Sequence, residues 1–190
     1  METLKNKIIS EGTIIGSEIL KVDSFLNHQI DINLFNEIGE EFKERFANHE
    51  ITKILTVEAS GIGIACIVAQ HFGNVPVVFA KKHEATNMDS ETYEADVFSF
   101  TKNKNYKVRA SKKYINAADK ILIIDDFLAN GNAAMGLVEI VRQACAEIVG
   151  VGIVIEKAFQ DGRSRIEKEG IKVESLAIVK SIKDNKVVFK

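Results

Sequence analysis

Short, wholly aliphatic runs spaced by amphipathic stretches are the feature that most restricts what this chain can become. ITKILTVEA is a strand ending near Glu58, GIGIACIVAQHFG a buried helix, and VPVVFAKK a second strand; further on, DKILIIDD, AAMGLVEIVRQACA and VGIVIEK repeat the order strand, helix, strand. Strands buried on both faces, alternating with helices, predict an α/β fold with a parallel sheet and helices on both sides. Ligands in such folds gather beyond the carboxyl ends of the strands. Ahead of this core, Leu4, Ile8 and Ile9 fit one face of a first helix. Leu34, Ile38, Phe42 and Phe46 fit a second, from about Asp31 to Ala47. The stretch between them fits neither period. From His83 to about Ala110 the chain is polar, and ADVFSFTK and YKVRA, separated by NKN, predict a projecting β-hairpin with a mobile connection around Glu84–Thr92. Pro76 falls at the start of a strand, where a missing N–H is tolerated.

A length of 190 residues points to a single domain, 1–190. Lys and Arg nearly balance Asp and Glu, for a net charge of −2, and no basic run is long enough to follow a phosphate backbone. Nucleic acid is therefore not expected as a partner. No stretch approaches the ~20 apolar residues that cross a bilayer, and the first segment lacks a signal-peptide core. A cytoplasmic protein without a membrane partner is expected. Cys66 and Cys145 are expected to be reduced and buried in helices. His28, His49, His71 and His83 have no metal-ligand spacing, which predicts structural or surface roles.

The string ILIIDDFLANGNAA carries the chemistry. Its aliphatics bury a strand, so Asp125 and Asp126 emerge at the carboxyl edge, facing alternate directions. Ala129, Asn130, Gly131, Asn132 and Ala133 then turn into a helix. Small side chains let an oxyanion approach the backbone, and successive N–H groups at a helix start form a phosphate cup. The acids are not the phosphate binders: two like charges about 4 Å apart already repel by about 1 kcal/mol in water and about 4 kcal/mol at an effective dielectric near 20. They suit a neutral or positive group beside the phosphate, and a sugar diol accepts that description. The motif reads as a ribose 5-phosphate binder; a structural turn or a magnesium site is the alternative for the loop taken alone.

The whole string resembles the signature of the type I phosphoribosyltransferases, which usually carry hydroxyl residues where Ala129 and Ala133 stand. Backbone N–H groups and Asn130 or Asn132 would take the place of those hydroxyls. DDFLANG, LKVDSFLNHQID (Leu20–Asp31), VPVVFAKKH and GIVIEKAFQ further resemble the bacterial xanthine phosphoribosyltransferases, over nearly the full length. The resemblance implies a type I core with a flexible loop at about 83–110 and a hood from about 12–30 plus part of the C-terminal region. It also implies transfer of a phosphoribosyl group from 5-phosphoribosyl 1-pyrophosphate (PRPP) to xanthine, giving xanthosine 5′-phosphate (XMP) and pyrophosphate, with Mg²⁺ arriving on PRPP and no direct protein ligand, in a homodimer.

By the same resemblance, Ser60 and Gly61 bind pyrophosphate at the start of the helix; a dinucleotide fingerprint fails because Cys66 stands at the third glycine position. Lys81 and Lys82 meet pyrophosphate, or are plain solvated charges. Leu20 and Asn27 contact the base, where the Asn27 amide tells a 2-oxo from a 2-amino purine; turn capping is the other reading. Lys157 donates to the purine 6-oxo group. Phe159 stacks on the base or belongs to the core. The rivals are a hypoxanthine, guanine or adenine phosphoribosyltransferase, and a non-catalytic purine-nucleotide-sensing regulator on the same fold.

Overall fold

The computed structural model describes residues 1–16, 19–82, 91–99, 104–184 and 186–190. In chain order these form helix α1 (Glu2–Glu11), strands β1 (Thr13–Ile15) and β2 (Ile19–Lys21), a π turn at Asp23–Asn27, helix α2 (Ile32–Arg45), strand β3 (Lys53–Val57), helix α3 (Ser60–His71) and strand β4 (Val77–Ala80). The hairpin strands β5 (Thr92–Ser99) and β6 (Lys104–Ser111) follow, then β7 (Lys120–Leu128), α4 (Asn132–Gln143), β8 (Glu147–Lys157), α5 (Gly162–Lys168), β9 (Val173–Lys183) and β10 (Lys186–Phe189).

Six strands make the central sheet in the order β10-β9-β8-β7-β3-β4, parallel except for β10 at one edge. Every residue of β3 is buried, as are Ile121 to Asp125 of β7, which is what an aliphatic run covered on both faces requires. On one side, α1, α2 and α3 supply Leu4, Ile8, Phe35, Ile38, Phe42 and Ile64. On the other, α4, α5 and the hairpin supply Leu137, Val141, Ile166, Val97 and Val108. The chain runs outward from β3 to β4 and later returns across β3 to place β7 on its other side. Strand order therefore reverses between β3 and β7, and the crevice above that switch point is where such sheets bind ligands.

Several expectations shift. Ile9 lies beside the buried face of α1 and is 64% exposed, since Leu4 and Ile8 alone face the sheet. Neither cysteine is buried: Cys66 lies opposite the Gly61, Ile64, Ala65 and Val68 face of α3, and Cys145 sits in a left-handed turn after α4. β7 continues to Leu128, so the acid pair lies inside the strand rather than at its carboxyl edge. The aperiodic region after α1 forms the antiparallel β1-β2 pair and the π turn. The antiparallel β5-β6 hairpin is present as expected, whereas the connection around Glu84–Thr92 lies largely outside the described residues. No described helix is long and apolar enough to cross a membrane.

One buried ion pair ties the last parallel strands together. Glu156 on β8, 2% exposed, accepts from Arg163 Nε at 2.9 Å and Nη2 at 2.6 Å, and from Ser175 Oγ on β9 at 2.5 Å. Burial pushes the Glu156 carboxyl up, but the Arg163 and Ser175 hydrogen bonds overcome it and hold the group below its ordinary value. Arg163→Met strands this carboxylate in the interior. We expect it to cost about 3 kcal/mol, or roughly 10 °C of melting temperature, in thermal denaturation. A loss within a degree or two would contradict the role given to the pair.

Candidate active site

Three chain segments converge at the switch point. From β7, Asp125 is buried and Asp126 is half-buried, and each carboxyl accepts from the next backbone amide. The Asp126 N–H donates to Asp125 Oδ1 at 3.0 Å, and the Phe127 N–H donates to Asp126 Oδ1 at 2.8 Å. Burial pushes the Asp125 carboxyl well above the usual carboxylate range, and the neighbouring charge of Asp126 adds to the shift. The charge of Lys82 opposes it.

The second segment joins β3 to α3. Gly61 is required there: a Cβ at this position would lie 2.0 Å from Thr56 Oγ1 and 3.6 Å from Asp125 Oδ1. Only a residue without a side chain lets α3 start this close to the acid pair. Ser60 stands at the first position of the helix, after a cis Glu58–Ala59 peptide. Glu58 accepts from the Lys82 N–H at 2.5 Å, joining this loop to the end of β4.

The third segment is the turn into α4. Gly131 has φ 77°, a left-handed conformation, and its Cα faces Gly162 so closely that a Cβ would lie 3.0 Å from the Gly162 Cα. Asn132 uses both ends of its amide on the protein: Nδ2 donates to the Phe98 carbonyl at 2.8 Å, and Oδ1 accepts from Arg165 at 2.7 Å. The Asn132 amide is thereby committed within the protein at both ends.

The remaining expected site residues separate into groups. Lys82 joins the acids, with its ammonium 5.7 Å from the centre of the Tyr106 ring. Lys81 points away, as alternation along an extended chain dictates, and lines a cavity of about 540 Å³ with Lys53, Arg109 and Tyr114. Asn27, at the end of the π turn, donates to Asp126 Oδ2 at 3.4 Å, so the N-terminal segment does reach the acids. Leu20 is different: its side chain is 6% exposed and belongs to the apolar core. Lys157 ends β8 with its ammonium 5.8 Å from the Phe127 ring centre, and Phe159 is exposed on the turn that follows.

Sequence reasoning missed four residues. Tyr106 comes from β6, and burial followed by the Asp125 charge pushes its phenol up. Thr56 Oγ1 and Gln160 Oε1 are buried polar atoms without a hydrogen-bond partner among the described residues. Arg165 holds the turn into α4 from α5. Their only sequence signal was proximity to a motif.

Chemically, the crevice offers a cup of backbone amides, two carboxylates beside it, a second helix start facing them, and an amide and an ammonium on the outer rim. That arrangement suits a sugar phosphate carrying a second anionic group and a polar planar partner.

Comparison with known proteins gives the same picture. Residues 21–189 match the phosphoribosyl transferase domain family. The chain is 70% identical over 190 residues to a xanthine phosphoribosyltransferase of Clostridium novyi, and 62% identical over 189 residues to one of Laribacter hongkongensis, covering 100% of each chain in both cases. Among solved structures, an adenine phosphoribosyltransferase of Rhodothermus marinus superposes with a TM-score of 0.75 at 22% identity, over 94% of this chain and 100% of that one. One from Trypanosoma brucei, in complex with AMP, pyrophosphate and ribose-5-phosphate, gives 0.76 at 16% identity, over 92% and 78%. At such identities the structures speak for the fold alone.

Proposed function

Because the chain belongs to the phosphoribosyl transferase domain family, we propose that it is a xanthine phosphoribosyltransferase, moving the phosphoribosyl group of PRPP onto xanthine to give XMP and pyrophosphate. The observation that carries the reaction type is the meeting of the Asp125–Asp126 pair, the Gly131 turn and the Gly61 helix start at one switch point. The acceptor rests on the full-length likeness to the Clostridium novyi enzyme.

The 5-phosphate sits on the amides of residues 129–133 at the start of α4. Asp126 and Asp125 accept from the ribose diol and place negative charge beside the sugar carbon as its bond to pyrophosphate lengthens. Ser60, the amides near Gly61 and Lys82 receive the departing pyrophosphate, and Lys81 contributes from the neighbouring cavity only if its side chain turns. The base nitrogen then closes on the cationic sugar from the rim. There, Asn27 and Lys157 bond its edge, and Phe159 and Leu20 contact its face and border. No protein nucleophile takes part; positioning and electrostatics carry the rate.

The donor set fits a divalent cation that keeps its water. Asp125 and Asp126 stand side by side and present carboxylate oxygens, the donors such an ion takes. When bound with PRPP, Mg²⁺ would lie beside Asp125 and Asp126 and would supply charge neutralisation of the leaving group. The segment 12–30, with part of the C-terminal region, serves as the hood over the base and 83–110 as the flexible loop, in a cytoplasmic homodimer; support for the hood is the Asn27–Asp126 hydrogen bond. With PRPP, Mg²⁺ and xanthine, we expect stoichiometric XMP and pyrophosphate, and loss of both products on chelation by EDTA. Xanthine left unconverted by folded protein would refute the reading.

A further inference from the structure

The phosphate turn does not hold its own shape; α5 holds it. Ala129 O accepts from the Gly162 N–H at 3.0 Å, and Asn130 O accepts from Arg165 Nη1. The same guanidinium nitrogen donates to Asn132 Oδ1 at 2.7 Å. The peptides of this turn are trans, so each N–H points opposite to the carbonyl it shares a plane with. Pinning the Ala129 and Asn130 carbonyls toward α5 therefore aims the next two N–H groups, those of Asn130 and Gly131, away from α5. Neither amide donates to another backbone group among the described residues.

Arg165 does a second thing through Asn132. With Oδ1 fixed by the guanidinium, the amide can present only Nδ2 to the Phe98 carbonyl, which ties the turn to hairpin strand β5. One cation thus sets the orientation of one of these backbone donors, the Gly131 N–H, and joins three elements, α5, the turn and the hairpin. The geometry points to Arg165 as a positioning residue for the phosphoribosyl 5-phosphate: it presets the amide cup without touching the ligand. This rests on the proposed function for the identity of the ligand.

Arg165→Met keeps most of the side-chain volume and removes the donors. It is expected to weaken ribose 5-phosphate binding in calorimetry, and to raise KM for PRPP, by roughly tenfold or more, the weight of lost charge-assisted hydrogen bonds. KM for xanthine should move less than about twofold, because uniform binding is lost only at the phosphate end. Guanidinium ion, well below denaturing concentration, should restore part of the PRPP affinity in Arg165→Met, and Arg165→Lys should recover less than the wild type because an ammonium lacks the planar fork. Should Arg165→Met fail to fold, Arg165→Lys carries the binding comparison alone. Unchanged ribose 5-phosphate affinity in a folded variant overturns the inference. So do equal losses for both substrates without rescue, which would mark α5 as a general prop. Wild-type protein that binds ribose 5-phosphate yet converts no base would refute the proposed function, leaving this inference to the binding comparison.

Discussion

Asp126→Asn is expected to lower kcat by roughly 10²- to 10³-fold, the scale of removing one preorganised electrostatic partner of a transition-state charge. The substitution preserves shape, so folding should be unaffected. Asp125→Asn should lose activity on the same scale, with an opposite signature in stability. Burial and the adjacent Asp126 raise the Asp125 carboxyl well above its ordinary value. Between the ordinary and the raised value the folded protein keeps a proton that the unfolded chain gives up, so stability falls as pH rises through that window. An asparagine carries no such cost, and its Oδ1 still accepts from the Asp126 N–H. Ligand-free Asp125→Asn should therefore melt higher than wild type at neutral pH, by about 2–4 °C for each kcal/mol recovered. The gap should close as pH drops below about 4. A gain in stability with a loss of turnover is the expected mark of a group placed for its ligand rather than its fold. Wild-type kcat in both variants would remove the acids from the mechanism.

Lys157→Ala is expected to raise KM for xanthine by roughly 10- to 100-fold, one charge-assisted hydrogen bond's worth, and to leave KM for PRPP nearly unchanged. Lys157 ends β8 at the rim, its ammonium near the Phe127 ring, on the side of the crevice away from the α3 start. Lys157→Met separates packing from charge, since its stem still covers the ring. Equal effects of Ala and Met would assign the loss to the ammonium. An unchanged xanthine KM would move the base site elsewhere.

What the residues disclosed in advance follows from where free energy is concentrated. β3 and β7 were legible because KILTV and ILIID are buried on both faces, which makes their pattern independent of neighbours. The acid pair stood out because carboxylates closing such a run are costly without a ligand. β9 was not recognised: VESLAIVKSIK mixes polar and apolar residues, and Glu174 and Ser175 make sense only beside Arg45 and Arg163. Arg165 escaped for the same reason, since its acceptors lie 35 and 33 positions away in the chain. Neither the burial of Leu20 nor the exposure of Cys66 was legible. Leu20 stands in a segment with no period to assign it a face, and α3 is apolar enough around its circumference that the sequence does not show which side is outside.

Pyrophosphate release from PRPP and Mg²⁺, with xanthine, guanine, hypoxanthine and adenine compared side by side, tests the central claim most directly. A kcat/KM for xanthine well above the other three is the predicted result, with preference falling specifically in Lys157→Ala. Preference for another base would contradict the assigned acceptor, and release with none of the four, from folded protein that binds XMP, would favour a nucleotide-sensing role over catalysis.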